Sequence, residues 1–399
     1  MSLPYVKIDF SNGALGQVAL GADGVFVILA TGAVVADKFA LNTAYTIKSF
    51  KTVTTDLGIT SVNNPGLYKL LNEFYTEAGD GTEVWLKAFA DTVTMTEMIT
   101  LATANGVQDL LTLANGRMRG VIVHRTPASG YTPTITAGLD ADVTTAIAAA
   151  QVTGLFATNP LKAPVFVLVA GLYYSGLPAD LAALNTGSSN RVGVFIGDSV
   201  TGNGCGIGLL AGRVARVPVQ RNIGRVKDGA ILGLTNAYLK DKKVEVADPE
   251  SIHDKGYMTI RTHVGRSGYF FSDNPLATVI SDDYNQLTAR RTVDKAYRVA
   301  YDTLLNELSD EVPVTDAGKI SPTYAKSIET KVENAIINTM TINGNLGRDP
   351  GNPKDNGVTC FVNTDQNIVA TGVLKITVRV KPYGYAKYIE VELGFKTLT

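Results

Sequence analysis

The residues best suited to chemistry lie in a glycine run, Gly202-Asn203-Gly204-Cys205-Gly206-Ile207-Gly208. Within it, Gly206-x-Gly208-x-x-Ala211 matches the loose form of a dinucleotide fingerprint, and a strand-like apolar run precedes it. Such a loop lets main-chain amides approach a pyrophosphate at a helix N-terminus. Two features argue against that use here. The fingerprint belongs on the first strand of its unit, whereas this one follows the fifth apolar run. Downstream, residues 221–229 (RNIGRVKDG) offer no strand ending in the acidic residue that would hold a ribose. Close packing of a turn against a neighbour accounts for these glycines better, and they are expected to be structural.

The other chemistry-bearing residues are scattered. His124, His253 and His263 stand apart, and none sits one helical turn from another ligand type, so no metal site is expected. Ser199, in Gly197-Asp198-Ser199-Val200-Thr201, lacks the second glycine of a nucleophile elbow. Paired carboxylates can share a proton, but Asp282-Asp283 reads as a loop facing water. Cys205 and Cys360 form neither a disulfide framework nor a metal spacing, and a reducing compartment suits them. The sequence therefore predicts no enzyme and no cofactor. An α/β enzyme binding a nucleotide at residues 202–208 is the alternative of another class.

Composition bounds the remaining choices. Charged residues make up 18% of the 399 and the net charge is −1. A typical soluble domain carries roughly 25% charged residues. So few charges give little protection against self-association, which suits a surface partly covered by partners. A monomer rich in Gly, Ala and Thr fits the composition equally well. No basic tract suggests nucleic acid, no apolar run is long enough for a bilayer, and MSLPYVKIDF is not a secretory start.

The elements that would position these residues follow from periodicity. Residues 1–24 read as an arm with a short strand at 5–10. From 25 to 200, apolar runs at 25–30, 84–89, 120–123, 165–170 and 192–196 alternate with helical patterns at 65–78 and 140–152. That pattern predicts an α/β module with a mostly parallel sheet covered on both faces. Residues 201–372 read as α+β: an Arg-bearing helix after the glycines, strands at 256–263 and 267–271, and two long helices. One helix spans 286–308; the other begins at Ser321-Pro322 and carries the stripe Tyr324, Ile328, Val332, Ile336 and Met340. Residues 373–399 alternate twice. Leu374, Ile376, Val378 and Val380 come first; after Pro382-Tyr383-Gly384 come Ile389, Val391, Leu393 and Phe395, which predicts a terminal hairpin.

Several of these stretches resemble one family. Residues 256–304, with Arg261-Thr262, Gly265-Arg266-Ser267-Gly268 and Arg290-Arg291, are similar to the C-terminal region of contractile tail sheath proteins, in the compact phage form. Ala211-Gly212-Arg213-Val214-Ala215-Arg216 resembles that family's Ala-Gly-x-x-Ala-Arg segment, and the closing alternation matches its C-terminal arm. The resemblance covers residues 204 to the end, while 25–198 agree in architecture only. It implies a sheath core at 201–372 and a β-arm at 373–399. The subunit would stack as hexameric rings around an inner tail tube protein, with baseplate and tail terminator proteins as further partners and neither nucleic acid nor membrane. Contraction would drive the tube through a cell envelope. The location implied is a virion tail assembled in the bacterial host cytoplasm, with a related injection device as the alternative. Another self-assembling structural protein, such as a shell or surface-layer subunit, is a third reading.

Two sets of interface residues follow. Tyr5, Val6, Ile8 and Phe10, with Leu374, Ile376, Val378, Val380, Ile389, Val391 and Leu393, are the expected inter-subunit arm strands, since long strands with one apolar face suit strand addition. Pairing within one subunit would satisfy the same pattern, and the resemblance favours exchange. Lys326, Glu329, Lys331 and Glu333 are the expected tube-facing residues of the second late helix, because exposed charge pairs are individually weak and would let a tube slide. A plain solvated helix face is the competing reading.

Overall fold

The computed structural model describes residues 22–103 and 106–393. They divide into two compact units, and the division falls between Lys295 and Ala296.

The first unit is built on β1 (Phe26–Thr31), whose six residues are all buried. It continues through β2 (Ala44–Ile47), α1 (Pro65–Ala78), β3 (Val84–Phe89), α2 (Met95–Ile99), α3 (Val107–Leu113), β4 (Gly120–Val123) and α4 (Ala141–Thr158). Then come β5 (Phe166–Ala170), β6 (Val192–Phe195), α5 (Ile207–Arg216), α6 (Pro249–Asp254), β7 (Ile260–His263) and β8 (Arg266–Phe271). The six-stranded sheet runs β2-β3-β1-β4-β5-β6; all neighbours are parallel except the edge pair β2–β3. β1, β4, β5 and β6 are buried throughout, as near-continuous apolar strands covered on both faces must be. Helix starts follow local chemistry. Pro65 opens α1, Asp140 accepts the Asp142 amide at the start of α4, and Thr94 with Glu97 forms a capping box on α2.

The break expected at 200/201 is not where the chain divides. α5 packs against α1 so closely that a Cβ on Gly212 would sit 2.7 Å from the Glu77 Cβ. Beside it Arg213 pairs bidentately with buried Glu77, Nε–Oε2 2.8 Å and Nη2–Oε1 3.0 Å. The guanidinium also donates to the carbonyl oxygens of Gly229 and Ala230. Residues 201–295 therefore share the core of 25–200.

α7 (Leu287–Leu305) contains the division. In the first unit, Asp294 accepts from Arg290 at 2.7 Å and from Arg191 at 3.1 Å. Arg291, fully buried, donates to the Val217 carbonyl.

The second unit adds α8 (Pro322–Ile336), continued by a π-helical turn Ile337–Thr341, then β9 (Val358–Val362), α9 (Ile368–Thr371) and β10 (Ile376–Val380). α8 starts where Ser321-Pro322 predicts. Ile328, Val332 and Ile336 of the expected stripe are buried, as is Met340 in the π-helical turn, with Tyr324 at the margin; Ala325 is buried as well. Among the described residues the terminal hairpin is not formed: β10 pairs antiparallel with β9, Cys360 opposite Val378, and residues 381–393 form neither helix nor strand.

Candidate assembly surfaces

At the glycine run, Gly206 precedes α5, and the carboxylate of Asp198 lies against Gly204 and Gly206. Asp198 also accepts from Lys69 at 2.5 Å and from the Ser199 amide at 2.6 Å. Gly208 faces α1, where a Cβ would meet the Leu70 carbonyl and the Glu73 Cβ. The glycines thus let a helix seat closely on its neighbour. Ser199 donates to Glu73 at 3.0 Å. Burial opposes the charge of Lys69, but Glu73 and Asp198 together outweigh it and raise its pKa. His124 is buried and its pKa is pushed down to about 3 by desolvation, with Lys69 adding to the effect. Burial likewise pushes the Cys205 thiol up. Among the described residues, no group of three or more His, Cys, Asp or Glu could hold a metal ion, and no helix is long and apolar enough to cross a membrane.

The late helix α8 departs from the sequence-based expectation at two of four residues. Lys326 and Lys331 are exposed, beside Thr323, Ser327, Thr330 and Asn334 on a shallow open surface. Lys331 reaches Glu307 at 2.6 Å, and the same carboxylate accepts from Tyr324 at 2.8 Å. Glu329 and Glu333 turn toward β9 instead. Glu329 accepts the amide of Val362 at 2.9 Å and Glu333 that of Cys360 at 2.8 Å. Lys326 pairs with the other oxygen of Glu329 at 2.8 Å, and this bond, followed by the Val362 amide, holds the carboxyl below its ordinary pKa. Main-chain amides at a strand edge need acceptors, and these glutamates supply them, so they do not form an outward charged face.

The C-terminal arm residues separate into two groups. Ile376, Val378 and Val380 lie on β10 and, with Leu374, are half-buried against the second unit's own apolar clusters. They are therefore not a detached arm. The partner strand was legible as a short alternation, Val358, Cys360 and Val362 buried between exposed Thr359 and Phe361, but it is only five residues long. Ile389, Val391 and Leu393 remain exposed at 78%, 76% and 93%. Tyr5, Val6, Ile8 and Phe10 lie outside the described residues.

The β9–β10 ladder also has a defined polarity. The Lys381 amide donates to Gly357 at 2.8 Å, which makes that opposed pair a hydrogen-bonded one. Alternation then makes 379:359 and 377:361 bonded pairs and turns the main-chain groups of Ile376, Val378 and Val380 away from β9. The sheet has two strands, so among the described residues that edge meets no third strand.

Residues 3–275 match the N-terminal domain model of DUF2586, and residues 283–398 match its C-terminal domain model. The chain belongs to the DUF2586 family. The compact units of this DUF2586 chain divide within α7, between Lys295 and Ala296, whereas the two matched models meet between residues 275 and 283. Its fold is shared with solved structures of contractile assemblies. A chain of the anti-feeding prophage baseplate, seen by sixfold-symmetrised cryo-EM, is 17% identical with a TM-score of 0.61, each chain covered at 100%. A chain of the PVC sheath complex, an extracellular contractile injection system in its contracted state, is 13% identical with a TM-score of 0.58, covering 99% of this chain and 98% of that one. The sheath tail protein of Desulfitobacterium hafniense is 10% identical with a TM-score of 0.53, over 90% and 94%. No curated protein matches the sequence.

Proposed function

We propose that this chain is a structural subunit of a contractile sheath, which polymerises around an inner tube and contracts to drive it through a cell envelope. The observation that carries this reading is the near end-to-end fold match, 90–100% of both chains, with chains from contractile assemblies. Function then resides in surfaces and not in a reaction centre. The β10 edge, which meets no third strand among the described residues, is the acceptor for a strand from another copy, and residues 389–393, apolar at alternate positions and exposed, are the donor. Residues 5–10 are a second donor. The exposed face of α8, centred on Lys326 and Lys331, is the tube-facing surface. Stacked hexameric rings, with baseplate and tail terminator proteins at the ends, complete the assembly.

A sheath of an extracellular injection system is the variant favoured by the anti-feeding prophage and PVC matches, over a phage tail that delivers a genome. Negative-stain microscopy of the purified protein tests the central reading. Hollow tubes or stacked rings are expected; closed shells, flat lattices or a discrete small oligomer would contradict it.

A further inference from the structure

The β9–β10 ladder has two edges; carboxylates of α8 occupy one, and the other meets no third strand among the described residues. A sheet edge with unpaired amides and carbonyls is a template for another strand, so a protein that adds strands must also decide where they go. The outward amides of β9 are those of Val358, Cys360 and Val362, as the ladder's alternation requires. Two of the three, Cys360 and Val362, are taken by carboxylates of α8, at 2.8 Å from Glu333 and 2.9 Å from Glu329.

The match is geometric. Residues four apart on a helix rise about 6 Å along its axis. Outward amides two apart on a strand repeat at about 6.6–6.8 Å. Glu329 and Glu333 can therefore bind consecutive outward amides of a strand that runs antiparallel to the helix, and they do so in that order, Val362 then Cys360. Lys326 holds the second oxygen of Glu329 and fixes its orientation. Val332 and Ile336, on the same helix, belong to the apolar cluster that also contains Val358 and Cys360, so packing keeps the helix on the strand.

The geometry points to Glu329 and Glu333 as a block on the β9 edge that restricts strand addition from a second copy of this chain to the β10 edge. One acceptor edge per subunit gives a head-to-tail contact with a single repeat, whereas two acceptor edges would permit lateral growth. This rests on the strand-addition reading above and goes beyond it by naming the residues that make addition one-sided.

The test uses the full chain carrying Glu329→Ala and Glu333→Ala together, with two readouts. In hydrogen exchange of the subunit, the amides of Cys360 and Val362 should exchange roughly ten- to hundred-fold faster than in the wild type, the factor expected for losing a bond to a charged acceptor. The ladder amides of Thr377 and Arg379 should keep their protection. Under assembly conditions the variant should form bundled or irregular aggregates where the wild type forms uniform tubes. Unchanged protection at Cys360 and Val362, or unchanged protection at neither but uniform wild-type tubes, overturns the proposal. If the double variant loses Thr377 and Arg379 protection as well, the single Glu329→Ala chain, which retains Glu333 on Cys360, is judged by the same criteria at Val362. A wild type that forms no tubes at all would instead refute the strand-addition reading, while the exchange result still reports on the block.

Discussion

The two units of this chain treat their sheets in opposite ways. In the first unit the sheet is finished. β1 is buried on every residue, β6 is flanked by Met258, which exchanges main-chain bonds with Val194 at 2.9 Å and Ile196 at 3.0 Å, and the other edge ends in the four-residue β2. In the second unit the sheet has two strands, one edge occupied by helix carboxylates and the other without a third strand among the described residues. Ile376, Val378 and Val380 are half-buried there, against the second unit's apolar cluster. A sheet buried on both faces holds a subunit together; a two-stranded one with an uncovered edge leaves main-chain groups for another strand to meet. The buried charges divide in the same way. Glu77 and Arg213 satisfy each other inside the first unit, while Glu329 and Glu333 satisfy a strand edge in the second.

That contrast can be broken from the first unit. Arg213→Ala would remove the bidentate partner of the buried Glu77 carboxylate, leaving it Arg216 at 3.2 Å and the Leu232 amide. Removing one member of a buried pair costs up to about 3–5 kcal/mol when the other charge is left uncompensated, so a clear drop in the denaturant midpoint is expected; a change within error would mean that Arg216 and Leu232 suffice for Glu77. Gly212→Ala is next. The added Cβ would press on the Phe74 carbonyl and the Glu77 Cβ, and overpacking of this kind costs about 1–3 kcal/mol.

His124 offers a pH test of the same unit. Its folded pKa of about 3 lies well below the ordinary 6.5, so only the unfolded chain takes up the proton between those values. The stability this contributes is fully present above about pH 6.5 and is lost as pH falls toward 3, reaching about 2 kcal/mol by pH 5. His124→Gln should flatten the stability–pH curve by that amount over that window. Equal slopes for the two proteins would show that His124 is not held neutral. The smallest effect on folding is expected on α8: reversing Lys326 and Lys331 to Glu should leave a cooperative melt yet abolish co-assembly with the tube protein. Unchanged co-assembly would remove α8 from the tube-facing role.

Much of the first unit was legible because its signals are local. The runs at 84–89 and 120–123 and the helix at 65–78 coincide with β3, β4 and α1, and Asp140 caps α4 as its position before the apolar run indicates. What was not legible depends on distant partners. The alternation at 374–381 fixes a strand but not its mate. Pro382-Tyr383-Gly384 suggested a turn into the next alternation, whereas β10 pairs back to β9 across α9. Glu329 and Glu333 flank the apolar stripe and looked solvated; the unpaired amides of a strand some thirty residues on draw them inward. The boundary expected at 200/201 failed for a related reason, since α5 is placed by a salt bridge to Glu77, more than a hundred residues away.

The residues beyond the second unit's ladder carry the proposed contacts between subunits, so the most direct measurement removes them. A chain ending at Gly384 keeps β9 and β10 but lacks Ile389, Val391 and Leu393. Its melt and its products under the electron microscope should be compared with those of the full chain. The expected result is a cooperative melt close to that of the full chain together with a complete absence of tubes. Normal tubes from the shortened chain, or loss of its cooperative melt, would contradict the claim that these residues join subunits and do not build the fold.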